Sequence, residues 1–180
     1  MASPQSLSES DRRLVAAWAA DCAERVLELF EAEAPDDDRA RDAIERARAF
    51  SRGELTAAGE IKRRFVAGRA AHAATSPAAV AASRAAAQAA GVAHMGAHAL
   101  GAAAYAARAA RLRDGSTDAA TAEFDWQVEH MSDAVAVALC RLPLVGEDSA
   151  GPLGSGLLAS GELGEHITRI QLRLRAERPR

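Results

Sequence analysis

Apolar positions recur at helical spacing along most of the chain. Val15, Trp18, Cys22, Val26, Leu29 and Phe30 share one face of a 3.6-residue repeat, and Ser8 or Ser10 with Glu9 and Asp11 supplies the capping hydroxyl and early acids that open a helix. Pro35 stops it, and the aspartates at 36–38 cap a second helix whose apolar side is Ala40, Ala43, Ile44 and Ala47. A third helix is predicted over 56–74, closed by "TSP" at 75–77. No proline follows until after Leu112, and two helices meeting near Gly91 are predicted there. A further helix opens at Ser116 or Thr117 and runs up to Pro143. Phe124, Val128, Met131, Val135, Ala138 and Leu142 form its core face, with Trp126, His130 and Val137 opposite, so the expectation is a helix covered on both sides.

From Gly146 the texture changes to Gly, Ser and Pro with little to pack, which reads as a linker over 146–164. Leu163, Ile167, Ile170 and Leu174 then return at helical spacing among arginines, which makes 165–180 a basic amphipathic segment that either docks or frays. The pattern as a whole predicts an all-α fold: a single-domain bundle of about six helices over 8–145, built around an Ala-rich central helix or helix pair.

Composition sharpens that picture. Aromatics make up only 4% of residues, so the core must come from close packing of small side chains. The first residues carry no apolar stretch after a basic cluster, so a cytoplasmic location is expected. No charge occurs between Arg84 and Arg108, long enough to raise the question of a membrane span, but alanine and glycine with Gln88, His94 and His98 would insert weakly, and a buried helix is the expectation. Charge is partitioned: residues 1–60 hold 14 acids and 8 bases, 61–113 hold 8 bases and no acid, and 114–180 hold 11 acids and 6 bases. The basic block lacks the interleaved aromatics that stack on nucleic-acid bases, so internal neutralisation by the acidic flanks is expected rather than a nucleic-acid partner. Cys22 and Cys140 both lie in apolar helical segments and read as buried free thiols.

The most specific candidate for chemistry is "HMGAH" at 94–98. On one helix His94 and His98 would leave the same face and could share a metal ion. A peptidase of the His-Glu-x-x-His kind needs a glutamate where Met95 stands, and a third ligand would have to come from His72, His130, His166, Asp21 or Cys22. The plainer expectation is that both rings are hydrogen-bonded between helices, with the glycines allowing close approach. No nucleophile elbow or phosphate-cradling loop is present, and no cofactor is implied. Asp36, Asp37 and Asp38, with Glu31 and Glu33, form an acidic cluster suited to a solvated helix cap or to a basic partner.

The stretch "RRLVAAWAADCAERVLELFEAEAPDDDRARDAIERARAFSRGE" at 12–54, with "AAHAA" at 70–74 and "AAAQAAGVAHMGAHALGAAAYAARAA" at 85–110, resembles a family of helical bacterial proteins described as immunity proteins of polymorphic toxin systems, the group like the fifth immunity class. Trp18, Asp21, Cys22, Asp38, Arg39, Arg41, His72, His94, His98 and Tyr105 stand at the family's recurrent positions; Ala40 replaces a proline, and the chain from Gly146 does not match. The resemblance implies a non-catalytic module that neutralises a cognate toxin by binding it, and Glu31, Glu33 and Asp36 to Asp38 would then steer a basic toxin. Two alternatives stay open. One is a metal-dependent enzyme using His94 and His98 with His72. The other is a small-ligand sensor with a cleft drawn from Trp18, Asp21, Arg39, Arg41, His72 and Tyr105, unless the two arginines are structural partners of Asp21 or Asp38.

Overall fold

The computed structural model describes residues 3–176, apart from the side chains at 61–65 and 67. The helices in chain order are α1 (Glu9–Glu24), α2 (Leu27–Glu31), α3 (Arg39–Ser51), α4 (Ala57–Ala70), α5 (Pro77–Gly91), α6 (His98–Asp114), α7 (Thr117–Glu129), α8 (Asp133–Leu139) and α9 (Gly161–Ala176), with short 3-10 turns at Ala71–Ala73 and Leu157–Ala159. No strand occurs among the described residues.

The all-α class holds, and "about six helices" is an undercount. The first predicted helix is interrupted at Arg25 and Val26, and the one predicted over 117–142 is interrupted at 130–132. Neither break contains glycine or proline, which is why a search for breakers passes over them. The second does carry a start signal: the Ser132 hydroxyl accepts from Val135 N at 3.3 Å and opens α8.

α6 is the axis of the bundle. Ala99 to Ala107 are all buried, and α1, α5, α7 and α9 pack around it. Its alanines and Gly101 let these neighbours approach closely, in a core whose large fully buried side chains include Phe30, Phe50, Leu100 and Leu139. α5 and α6 form a hairpin through a turn at 92–97. α6 has no side-chain cap. Instead, Gly96 N and Ala97 N at its entry donate to Ser6 O and Gln5 O at 3.1 Å each, so the N-terminal segment meets amides the helix leaves unpaired. At the other end Gly115 takes the left-handed conformation, φ +64°, that stops the helix.

Gln5, fully buried, also holds the segment after α8: its Nε2 donates to Asp148 Oδ2 at 2.9 Å and its Oε1 accepts from Leu153 N at 2.9 Å. Leu153 is completely buried and Leu158 nearly so, in a stretch whose composition predicts little packing. α9 then lies against α6, burying Leu163, Ile167, Ile170 and Leu174, the stripe its spacing predicts; the last residues of the predicted basic segment, 177–180, lie outside the described residues. Among the described residues no helix is long and apolar enough to cross a membrane.

Candidate functional site

The interruption between α7 and α8 shapes a concave surface. At the end of α7 the chain tightens, so that Met131 N bonds Val128 O rather than the carbonyl of Gln127. That carbonyl is met from α1, where the buried Trp18 donates its Nε1–H to Gln127 O at 3.0 Å. The break is thereby tied to α1. A groove of about 560 Å³ opens between them, lined by Leu14, Trp18 and Asp21 of α1, by Ser51 at the end of α3, and by His130, Ser132 and Val135 at the α7–α8 joint. Leu14 is 41% exposed in its wall.

A second hollow of about 400 Å³ shares Asp21 and His130 with the groove and adds Glu24, Arg25 and Trp126. Here His130 Nδ1 lies 2.9 Å from Trp126 O, an acceptor, so Nδ1 carries a proton and donates. The imidazole stacks on the Trp126 ring with centroids 4.2 Å apart, and the Arg25 guanidinium carbon stands 4.0 Å from the same ring. Arg25 is itself held by the buried Glu123, whose two oxygens accept from its Nε at 2.8 and 2.9 Å. Trp126 is therefore half-buried in a cationic and aromatic stack rather than covered by another helix, and Val137 on the same side is 46% exposed. The expected two-sided cover is absent at both positions.

Arg13 and Arg25 line the two hollows together with Asp21 and Glu24, and the adjoining helices α7 and α8 are acidic. α7 and α8 carry Asp118, Glu123, Asp125, Glu129 and Asp133 with no lysine or arginine; Glu123 is committed to Arg25, and Asp118, Asp125, Glu129 and Asp133 are exposed. Along the neighbouring edge, Arg48 of α3 bridges Asp21 at 2.8 Å and Glu24 at 2.5 Å, and the hydrogen bond from Arg48 holds the Glu24 carboxyl below its ordinary range. Arg41 continues the line: it feels Glu24 and grips Glu31 through Nε and Nη2 at 2.7 Å each.

The acidic cluster at 31–38 is largely turned to structural use. Glu33 accepts from Thr75 N at 2.8 Å and Ser76 N at 3.1 Å at the entry to α5, and the Ser76 side chain, followed by these backbone bonds, lowers its pKa to about 2. Asp37 pairs with Arg39, and Glu31 with Arg41, whereas Asp36 and Asp38 are exposed. The partners expected for these arginines, Asp21 or Asp38, are thus replaced by Asp37 and Glu31. Asp37 lies two residues before the start of α3, and Glu31 ends α2.

The residues of the other two readings do not assemble. His94 lies exposed in the 92–97 turn while His98 opens α6, so the two do not lie one above the other on a single helix. His98 Nδ1 sits 2.8 Å from Gln88 Oε1, and burial, with His94 nearby, pushes its pKa down to about 4. Small neighbours permit this contact: a Cβ on Gly91 would fall 2.9 Å from His98 Cγ, and one on Gly101 2.9 Å from Gln88 Cδ. His72 is exposed in the 3-10 turn, and Tyr105 is buried in α6 with Arg84 over its ring. Of the cleft residues only Trp18 and Asp21 line one hollow. Cys22 is fully buried, and desolvation raises its thiol pKa well above the ordinary value. Among the described residues no three His, Cys, Asp or Glu side chains converge as a metal site would require.

Sequence reasoning missed Arg25, His130 in its stacking role, Asp125, Glu129 and Asp133. The available signal was the run of acids from Asp118 to Asp133 without a single compensating base.

A family model described as "Imm-5 like putative immunity protein" matches residues 5–134, α1 through the start of α8. No curated protein and no solved structure matches the chain.

Proposed function

The chain belongs to the Imm-5 like immunity protein family, and from that premise we propose that it is a non-catalytic binding module whose α1–α3–α7–α8 face seats a cognate toxin. An immunity protein acts by occluding its toxin and needs anchors and complementary charge rather than reactive groups. The observation that carries this assignment is the stack of Arg25, Trp126 and His130 at the junction of two hollows. Tryptophan and arginine are the side chains most often found as interface anchors, and here both are preorganised by Glu123 and by the α7 end. The exposed Asp125, Glu129 and Asp133 beside them suit a toxin with a basic active-site surface, and the Asp21–Arg48–Glu24–Arg41–Glu31 line extends the same face toward Asp36 and Asp38.

Co-expression with the product of the neighbouring gene, assayed for toxicity on its own, tests the proposal. The wild-type chain is expected to restore growth, and the charge reversal Asp125→Lys, Glu129→Lys, Asp133→Lys is expected to abolish rescue while the protein stays folded. If the purified pair fails to associate at low salt, the proposal is wrong.

A further inference from the structure

A second pocket lies away from this face, where α9 crosses α6 and the start of α7, and it draws three guanidinium groups together. Arg108 and Arg111 of α6 and Arg169 of α9 line a hollow of about 240 Å³, just under the usual range of about 300–1,000 Å³ for drug-sized ligands. Arg108 and Arg111 both reach Glu162 through Nε, at 3.0 and 2.6 Å, so a single carboxylate serves two cations. Arg169 has no carboxylate partner among the described residues; its guanidinium carbon stands 3.9 Å from the Phe124 ring centroid. Glu165, exposed, is the other acid in the wall, which leaves an excess of positive charge.

The floor of the hollow is set by a chain of hydrogen bonds with a fixed direction. Gln127 Nε2 donates to Ala103 O at 3.0 Å, which turns its Oε1 toward His166 Nε2 at 2.8 Å. Since that oxygen only accepts, the His166 proton sits on Nε2, and Nδ1 is an acceptor without a protein partner among the described residues. Burial lowers the His166 pKa to about 4, so the ring stays neutral and leaves the arginines to set the charge. Thr117 and Thr121, on the first turns of α7, add hydroxyls to the wall.

We propose that this pocket binds a small phosphate-bearing anion, with Arg108, Arg111 and Arg169 on its oxygens, Thr117 and Thr121 beside them, and His166 Nδ1 taking a hydrogen bond from a hydroxyl or a protonated phosphate oxygen. Guanidinium forks match phosphate geometry, and a pocket of this size holds a phosphate with only a short organic group attached. The anion would join α9, which lies outside the matched residues 5–134, to α6 and the start of α7, which lie within them. It does not depend on the toxin-binding face.

Calorimetric titration of the full chain with inorganic phosphate, and separately with glycerol 3-phosphate, tests the site at constant ionic strength against chloride. Saturable binding of either, weakened about ten-fold or more in Arg169→Gln and in Arg108→Gln, is the expected result, the size following from loss of a hydrogen bond to a charged group. Tighter binding of glycerol 3-phosphate assigns a phosphate monoester, and binding of phosphate alone assigns the free ion. Phosphate should also slow amide exchange in α9. Equal heats with chloride, or affinity unchanged in both variants, overturn the proposal.

Discussion

Lowering the pH from 7 to 5 should destabilise this protein well before its carboxylates titrate. His98 and His166 are each held neutral in the fold, with pKa pushed from 6.5 to about 4 by burial, aided by His94 beside the first and Arg169 beside the second. The unfolded chain therefore takes up protons that the folded chain refuses as pH falls through 6.5. Stability is complete above that value and is lost progressively down to the folded-state pKa. At pH 5 the linkage costs about 2 kcal/mol for each ring, roughly 4 kcal/mol together, against a total stability of about 5–15 kcal/mol for a domain. The His98 share is an upper bound, because that residue keeps partial exposure. Carboxylates held low, such as Glu33 and Glu24, act only below about pH 4.5, so the two windows separate. Urea unfolding at half-unit steps between pH 7 and 5 measures the loss, and His166→Asn should halve its slope. A stability constant to within about 1 kcal/mol over that range would refute the buried, neutral assignment of both rings.

Three substitutions probe the architecture. Gly91→Ala places a methyl 2.9 Å from His98 Cγ and should cost about 1–3 kcal/mol in thermal or urea unfolding. Leu153→Ala, at a fully buried position, should cost about 2–5 kcal/mol; a loss under about 0.5 kcal/mol would mean that the 146–160 segment is not packed. Trp18→Phe removes the donor to Gln127 O and should cost about 1–3 kcal/mol while loosening amide exchange around the α7–α8 joint.

Periodicity made most of the bundle legible. Val15, Trp18, Cys22, Val26 and Phe30 are buried as their spacing demands, as are Ile167 and Ile170, because a helix that covers a core must repeat its apolar positions wherever it runs. The stripe of the first helix survives even the interruption at Arg25. What escaped were features set by tertiary partners. The end of α7 is stabilised by Trp18, 109 residues from the Gln127 carbonyl it meets, and the burial of Leu153 is accompanied by a bond to Gln5, 148 residues away. Neither partner is visible from local propensity. The proposed face is not the one that the sequence pattern singles out: of the acids at 31–38, pairing with Arg39, Arg41 and the α5 cap occupies several, whereas the acids at 125–133 lie on one helical pair without a lysine or arginine. A count of charge by segment sees totals, and only geometry shows which charges are already answered.

The affinity of the cognate toxin for Trp126→Ala, set beside that for Leu172→Ala, tests the account most directly. Leu172 is 60% exposed on α9 and lies outside the groove, so its loss should leave affinity unchanged. Loss of an anchoring tryptophan should weaken binding by about 2 kcal/mol or more, roughly thirty-fold. Equal affinities for wild type and Trp126→Ala, in a folded protein that still neutralises its toxin, would contradict the assignment of this face.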